Sequence, residues 1–334
     1  MNKSQILKIC EVFHLGTTHN EAIPIGGGLI HHMWKINTTS GSFAIKELDA
    51  EIMKRPGIHE CYIQSEKIAA ILKSKKIPAE TALMNNIAPL YEIDGSIVMV
   101  FPWVDGSILM LNQITPGHAN KIGGIVAAIH AANITTLNLP QPEIHFISEQ
   151  RWHSLIDKAL INKLTWAAEA NTNFSNLLTW SDAYQKAKQQ LNKKLIISHR
   201  DIDPKNVIWR DSNSPVLIDW ESAGLINATE EAITVAIEWA GMTETLFKKN
   251  IFSAIIDGYY NRGGKLDKSE INDALYGVIG NCLNWLEFNM SRSLESSNYD
   301  KDIQNLGIEE TEMTFKKLRF LATNTDHLIK LLQK

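Results

Sequence analysis

One stretch, Lys194 to Gly224, constrains this chain more than any other. It carries Ile-Ser-His-Arg-Asp-Ile-Asp-Pro-Lys-Asn-Val-Ile-Trp, then a polar turn, then Val-Leu-Ile-Asp-Trp-Glu-Ser-Ala-Gly. Two short apolar runs, Val207 to Trp209 and Val216 to Ile218, flank the turn formers Asp211, Ser212, Asn213, Ser214 and Pro215, a pattern that predicts a β-hairpin with a longer loop. Folded antiparallel with Val207 opposite Ile218, the hairpin sets Asn206 beside Asp219, and Asp201 lies on the loop that enters it. Two oxygen ligands at one end of a rigid hairpin suit Mg²⁺, a hard cation that leaves its other positions to phosphates and water.

His199-Arg200-Asp201, four further residues, Asn206, and then Asp219 on the next strand reproduce the spacing of the protein-kinase catalytic loop. That template makes Asp201 the base that takes the proton of an acceptor hydroxyl, and makes Asn206 and Asp219 the metal ligands. The plainer alternative is that Asp201 and Asn206 only cap turns. Several matched features in one hairpin weigh against it.

Elsewhere composition mostly excludes. The 334 residues suffice for two lobes sharing a cleft, and 44% hydrophobic content supports a full core. A formal charge of −4 and the absence of any Lys/Arg-rich run give no footprint for nucleic acid or an anionic membrane. Cys10, Cys61 and Cys282 are too few and too far apart for a disulfide framework or a thiolate metal site. With no apolar run of bilayer length, the expectation is a cytoplasmic protein.

Before the hairpin, Ile6, Leu7, Ile9, Cys10 and Phe13 predict a short amphipathic helix, and strands follow over Ala22 to Ile25, Leu29 to Asn37 and Phe43 to Lys46. Gly26-Gly27-Gly28 lies between the first two, where Gly27 and Gly28 would let backbone N–H groups approach a polyphosphate; the plainer alternative is that three glycines in a hairpin simply make a turn. Lys46 ends Phe-Ala-Ile-Lys, close to the Val-Ala-Ile-Lys that places a lysine on nucleotide phosphates. On the helix predicted from Ile58 to Lys75, Glu66 or Glu60 is the candidate carboxylate to hold that lysine, Glu66 being preferred; a solvated surface glutamate is the alternative for either. A second hairpin turns at Asp94-Gly95, and Phe101 to Gly106, with its proline and glycine, reads as a domain boundary.

Beyond Gly106 the chain is mostly helical, with Thr115 capping a helix that starts at Pro116 and with His130 as a core histidine. Helices are expected over Arg151 to Ile161, Asn176 to Leu191, Ala228 to Met242, Leu246 to Asn261, Lys268 to Leu294 and Glu309 to Leu332. Asn281, Trp285, Asn289 and Arg292 share one helical stripe that faces either a polar substrate or water. Asp203, Glu221, Glu230, Glu231, Glu238 and Glu287 follow the catalytic loop. As a group they would draw a cationic acceptor, with Trp285 stacking on it; taken singly, each reads as a solvated carboxylate.

With these residues in place, the chain resembles the aminoglycoside phosphotransferase family, the small-molecule branch of the protein-kinase-like fold that also holds choline kinases. The resemblance runs from about Glu21 to Arg292 and is densest at His199 to Gly224. It implies an α+β fold of two lobes: a small β-rich N-terminal lobe over 1–101, a hinge over 102–106, and a larger helical C-terminal lobe over 107–334. It further implies a nucleotide between the lobes, its phosphates on Lys46, Asn206 and Asp219 with Mg²⁺, and its base against the carbonyl of Pro102 and the N–H of Val104. Asp203 stands where protein kinases usually carry lysine, Trp220-Glu221 replaces Phe-Gly, and no Ala-Pro-Glu follows, so a small molecule is favoured over a peptide. The expected activity is transfer of the γ-phosphoryl of ATP or GTP to a hydroxyl of a small, amine-bearing molecule such as an aminoglycoside-type antibiotic. The alternatives are a metabolite kinase acting on choline, ethanolamine, homoserine or a thiosugar, and a nucleotide-binding protein without turnover.

Overall fold

The computed structural model describes residues 1–333 except 19, 27–29, 86–87 and 295–300. The chain divides into two compact units, one built from Met1–Met110, Ala132–Ile134 and Ile197–Gly224 and the other from the remaining segments.

The first unit opens with helix α1 (Lys3–Val12), started by an Asn2–Gln5 capping box. Strands β1 (Ile23–Ile25), β2 (His32–Thr38) and β3 (Gly41–Glu47) follow, then helices α2 (Ala50–Met53) and α3 (Ile58–Ser74), and strands β4 (Tyr91–Ile93) and β5 (Ser96–Pro102). The five strands form one antiparallel sheet in the order β1-β2-β3-β5-β4. Alternation along the strands sorts its two faces. Ile36, Ile45, Val98 and Val100 pack with Ile6, Ile9 and Cys10 of α1, while Met99, with Ile97 and Phe101, packs with Met53 and Tyr62 of α2 and α3. Lys46 is paired with Met99 across the ladder, so it projects from the face that α2 and α3 cover. It is 7% exposed.

Strand β6 (Ser107–Ile108) pairs with β8 (Val207–Trp209), which pairs in turn with β9 (Pro215–Leu217); β7 (Ile196–Ser198) precedes the loop into β8. The hairpin exists where expected, but its register is one residue off. Val207 faces Leu217 and Trp209 faces Pro215, so Asn206 lies opposite Ile218, whose N–H donates to the Asn206 carbonyl at 3.0 Å. The expectation had counted Pro215 as part of the turn. Proline fits at the first position of a strand, and the loop closes one residue sooner, with the Arg210 N–H donating to Ser214 O. The segment after α3 joins this hairpin as well: the Leu217 N–H donates to Pro78 O at 2.7 Å and the Glu80 N–H to Leu217 O at 2.9 Å.

The second unit is helical: α4 (Pro116–Ala131), α5 (Glu149–Ile161), α6 (Ala167–Thr172), α7 (Phe174–Leu191), α8 (Ala228–Ala240), α9 (Lys249–Asn261), α10 (Ile271–Leu294) and α11 (Lys301–Leu332). Helices α4 and α9 cross backbone to backbone: a Cβ on Gly123 would lie 1.9 Å from Ile255 O, and one on Gly258 would lie 2.0 Å from Asn120 O. His130 is buried here, bonded to Glu231 at 2.6 Å and to the Tyr259 hydroxyl at 2.9 Å.

Three expectations change in this unit. Helix α11 begins at Lys301, well before Glu309, because the face it lays on α10 is made first of small residues. Gly307 and Thr311 are buried there, and a Cβ on Gly307 would meet Ser293 N at 2.8 Å, so no apolar periodicity announces the helix. The polar stripe of α10, read as facing a polar substrate or water, turns partly into the fold. Asn289 and Arg292 are buried and bonded to each other, and Trp285 Nε1 donates to Glu310 of α11 at 3.0 Å. Glu230 and Glu231 are each 1% exposed and paired, with Lys188 and His130, so they leave the acidic group expected to meet an acceptor. Buried carboxylates persist where a cation or donor meets them.

Candidate active site

The first unit gathers the loop residues into one connected arrangement. His199, fully buried against Trp220, accepts the Asp201 N–H at Nδ1 (3.3 Å) and donates from Nε2 to Ile218 O (3.1 Å), which ties the loop to the end of β9. Asn206 spends both amide hydrogens on Asp201, one on its carbonyl (2.9 Å) and one on carboxylate Oδ2 (2.8 Å). Asp203 caps the turn between them by accepting the Lys205 N–H at 2.9 Å. Burial pushes the Asp201 carboxyl above the usual range, with Lys205 pulling the other way. Arg200 (φ 70°) and Asp219 (φ 61°) both adopt the left-handed region, local strain of the kind found at functional sites.

Lys46 meets this arrangement from β3. Its Nζ donates to Asp219 Oδ1 at 2.8 Å and to Glu221 Oε2 at 2.5 Å. Burial alone would lower the amine's pKa, but these two carboxylates raise it instead. Glu66, expected to hold the lysine, makes no hydrogen bond or ion pair with it among the described residues, although the Lys46 charge acts on its carboxyl. It accepts the Ala82 N–H at 2.7 Å, and burial raises its carboxyl to about 7. Glu60, the other candidate, is bonded to Gln64 on the exposed side of α3. The reason is positional: the chain leaving α3 runs back past Glu66 and offers it a backbone donor, while Asp219 and Glu221 reach the lysine from the hairpin.

Glu221, expected near the acceptor, is thus bound to Lys46. It also takes His31 Nε2 at 3.3 Å and the Tyr62 hydroxyl at 3.4 Å. Burial would raise its pKa, but the His31 hydrogen bond and the Lys46 charge hold it near 2. Sequence reasoning missed His31 and Tyr62. Their only signals were that His31 follows the glycine run and that Tyr62 lies one helical turn before Glu66.

The oxygens on offer fit a hard cation. With both amide hydrogens of Asn206 engaged, its Oδ1 has no partner among the described residues, and neither has Asp219 Oδ2. Among the described residues no group of three or more His, Cys, Asp and Glu side chains is arranged to hold an ion. Two protein ligands, completed by phosphate oxygens and water, are the Mg²⁺ pattern.

At the linker, the Trp103 N–H donates to Ser42 O at 3.0 Å, and Phe43 stands opposite Pro102. The Pro102 carbonyl shares a peptide plane with the Trp103 N–H and points the opposite way, so it turns away from β3. Pro102 therefore costs the ladder no bond, and the Val104 N–H has no partner among the described residues. Gly27 and Gly28 lie outside the described residues. In the second unit, Glu287 is paired with Arg151 and accepts from Ser291, Glu238 is half-buried on α8, and Trp285 stacks on Phe288 with ring centroids 5.4 Å apart.

Residues 21–259 match the phosphotransferase enzyme family. No curated protein sequence matches the chain. Among solved structures, spectinomycin phosphotransferase APH(9)-Ia in complex with ADP and spectinomycin is similar, with a TM-score of 0.69 at 15% identity over 97% of this chain and 99% of that one. Choline kinase from Cryptosporidium parvum gives 0.60 at 13% identity over 99% of each chain. An amicoumacin kinase in complex with AMP-PNP, Ca²⁺ and its antibiotic gives 0.63 at 11% identity over 95% of this chain and 94% of that one. The fold is therefore kinase-like, with an antiparallel sheet near the N-terminus and a mostly helical remainder. No helix among the described residues is long and apolar enough to cross a membrane.

Proposed function

Since the chain belongs to the phosphotransferase enzyme family, a small-molecule kinase by fold and family, we propose that it moves the γ-phosphoryl of ATP or GTP onto a hydroxyl of a small, amine-bearing acceptor. The observation that carries this reading is the gathering of Lys46, Asp201, Asn206 and Asp219 in one compact unit, with Asp201 clamped by Asn206 and Lys46 on Asp219. Asp201 takes the proton of the acceptor hydroxyl. Its raised pKa brings it toward working pH and makes it a better base than an ordinary aspartate. Lys46 supplies a fixed cation for phosphate oxygens, and the Pro102 carbonyl with the Val104 N–H offers an acceptor and a donor for the base of the nucleotide. Asn206 Oδ1 and Asp219 would hold Mg²⁺, which when bound neutralises charge on the transferring phosphoryl group.

Aminoglycoside-type antibiotics and amino alcohols are the first acceptors to test. The similar structures named for spectinomycin, amicoumacin and choline support that choice. The deciding experiment is a Mg²⁺-dependent nucleotide-consumption screen with ATP and GTP against aminoglycosides, other antibiotics, choline, ethanolamine and sugars. Phosphorylation of one acceptor is expected; no consumption with any of them, nor slow hydrolysis without one, would overturn the reading.

A further inference from the structure

Lysine carries its charge on a flexible four-carbon stem, so an amine that must meet phosphate oxygens needs a carboxylate to hold it, and that carboxylate needs holding too. In this chain Glu66 of α3 accepts the Ala82 N–H on Oε2 and feels the Lys46 charge without bonding to it among the described residues. The carboxylate that bonds the amine beside Asp219 is Glu221. One oxygen, Oε2, collects Lys46 Nζ at 2.5 Å, His31 Nε2 at 3.3 Å and the Tyr62 hydroxyl at 3.4 Å.

The hydrogen-bond pattern also fixes which way each donor points. The Asp49 N–H donates to His31 Nδ1 at 3.0 Å, so the ring proton sits on Nε2. From there it is shared between the Tyr62 oxygen, 3.0 Å away, and Glu221, which leaves the Tyr62 O–H free to donate to Glu221. Asp49 is itself fixed as the cap of α2, where it accepts the Glu51 and Ile52 N–H groups. The side chains of His31 and Lys46 are 5% and 9% exposed, surroundings in which each such bond is stronger than in water.

We propose that His31 and Tyr62 are positioning residues for phosphoryl transfer: they hold the Glu221 carboxylate against Lys46, and so help set the lysine for the nucleotide phosphates. This rests on the phosphotransferase reading for its purpose and on the network alone for its geometry.

The two ring nitrogens of His31 do different work, and two substitutions separate them. His31→Gln can keep a donor where Nε2 reaches Glu221, whereas His31→Asn can keep only an acceptor for the Asp49 N–H. Titration of ATP with Mg²⁺ into each full-length variant should show His31→Gln within about twofold of wild type. His31→Asn and Tyr62→Phe should weaken binding by about 3- to 10-fold, with kcat falling less than KM rises. Thermal unfolding of each variant checks that the fold is retained. A network that only staples the fold would give the reverse order, with His31→Asn the better tolerated. That order, equal losses in both His31 variants, or an unchanged Tyr62→Phe each overturns the proposal.

A second measurement needs no nucleotide. Imidazole ¹⁵N spectra of the free protein should show His31 protonated on Nε2, with that resonance moved by Tyr62→Phe. The opposite tautomer overturns the proposal. The two failures are distinguishable: a wild type that consumes no nucleotide overturns phosphoryl transfer, whereas the wrong tautomer or the wrong order of variants overturns the anchor.

Discussion

Asp201 is held at both ends, its carboxylate by Asn206 and its N–H by His199, so replacing it with asparagine removes the base and little else. Asp201→Asn is expected to keep nucleotide binding and lower kcat by at least roughly 10²-fold; unchanged turnover in the purified variant would remove the role from Asp201. Asp219→Ala should weaken Mg²⁺-dependent nucleotide binding more than Asn206→Ala, because Asp219 brings the charge and also meets Lys46. Calorimetric titration with and without Mg²⁺ reads this directly, and equal affinities in wild type and Asp219→Ala count against the metal site. Glu66 gives a pH effect of definite sign. Its folded carboxyl titrates near 7 against a usual 4.5, so between these values the unfolded chain is ionised while the folded one still holds its proton. The cost to stability is absent below about pH 4.5, grows as pH rises, and is complete above 7. Glu66→Gln keeps an oxygen for the Ala82 N–H and removes that cost. It should match wild type in thermal unfolding near pH 4.5 and exceed it by about 1–3 kcal/mol at pH 8; a constant difference across this range would contradict the assignment.

At the scale of elements, the loop and hairpin were legible because their signals are local: a histidine, two acids and an amide at fixed spacing, then a turn between two apolar runs. The one-residue slip in register came from Pro215, which serves equally well to end a turn or to begin a strand. The contacts of α10 with α11 were hidden for another reason. Small residues carry that interface, and a stripe of Asn, Trp and Arg looks the same in sequence whether water or another helix covers it. Glu230 and Glu231 were misread because their partners, Lys188 and His130, stand 42 and 101 residues away. At the linker, backbone direction makes its own prediction. Val104→Pro removes a donor that has no partner among the described residues, while Val104→Ala keeps it, so the first should lose nucleotide affinity and the second largely retain it. Similar losses in both would assign the effect to the buried side chain of Val104.

For the molecule as a whole, the formal charge of −4 favours a cationic acceptor only weakly, since Glu221, Glu230, Glu231 and Glu287 already have partners in the fold. If an amine-bearing acceptor is nevertheless drawn electrostatically, its affinity should fall as salt rises. A best acceptor that is uncharged or anionic, with salt-independent affinity, would set that aside. The division of the chain into units has a consequence in time. The unit that holds Lys46 is completed by a segment, Ile197–Gly224, that is synthesised only after Leu111–Ala131 and Thr135–Ile196 of the other unit. Lys46 precedes Asp219 by 173 residues, which at ribosomal speeds of about 5–20 residues per second is a wait of roughly 9 to 35 s. Throughout that interval the nascent sheet carries a lysine on the face it will later bury, without the two carboxylates that make its burial tolerable. A chain stalled before Asp219 would therefore carry Lys46 without either of its two carboxylate partners.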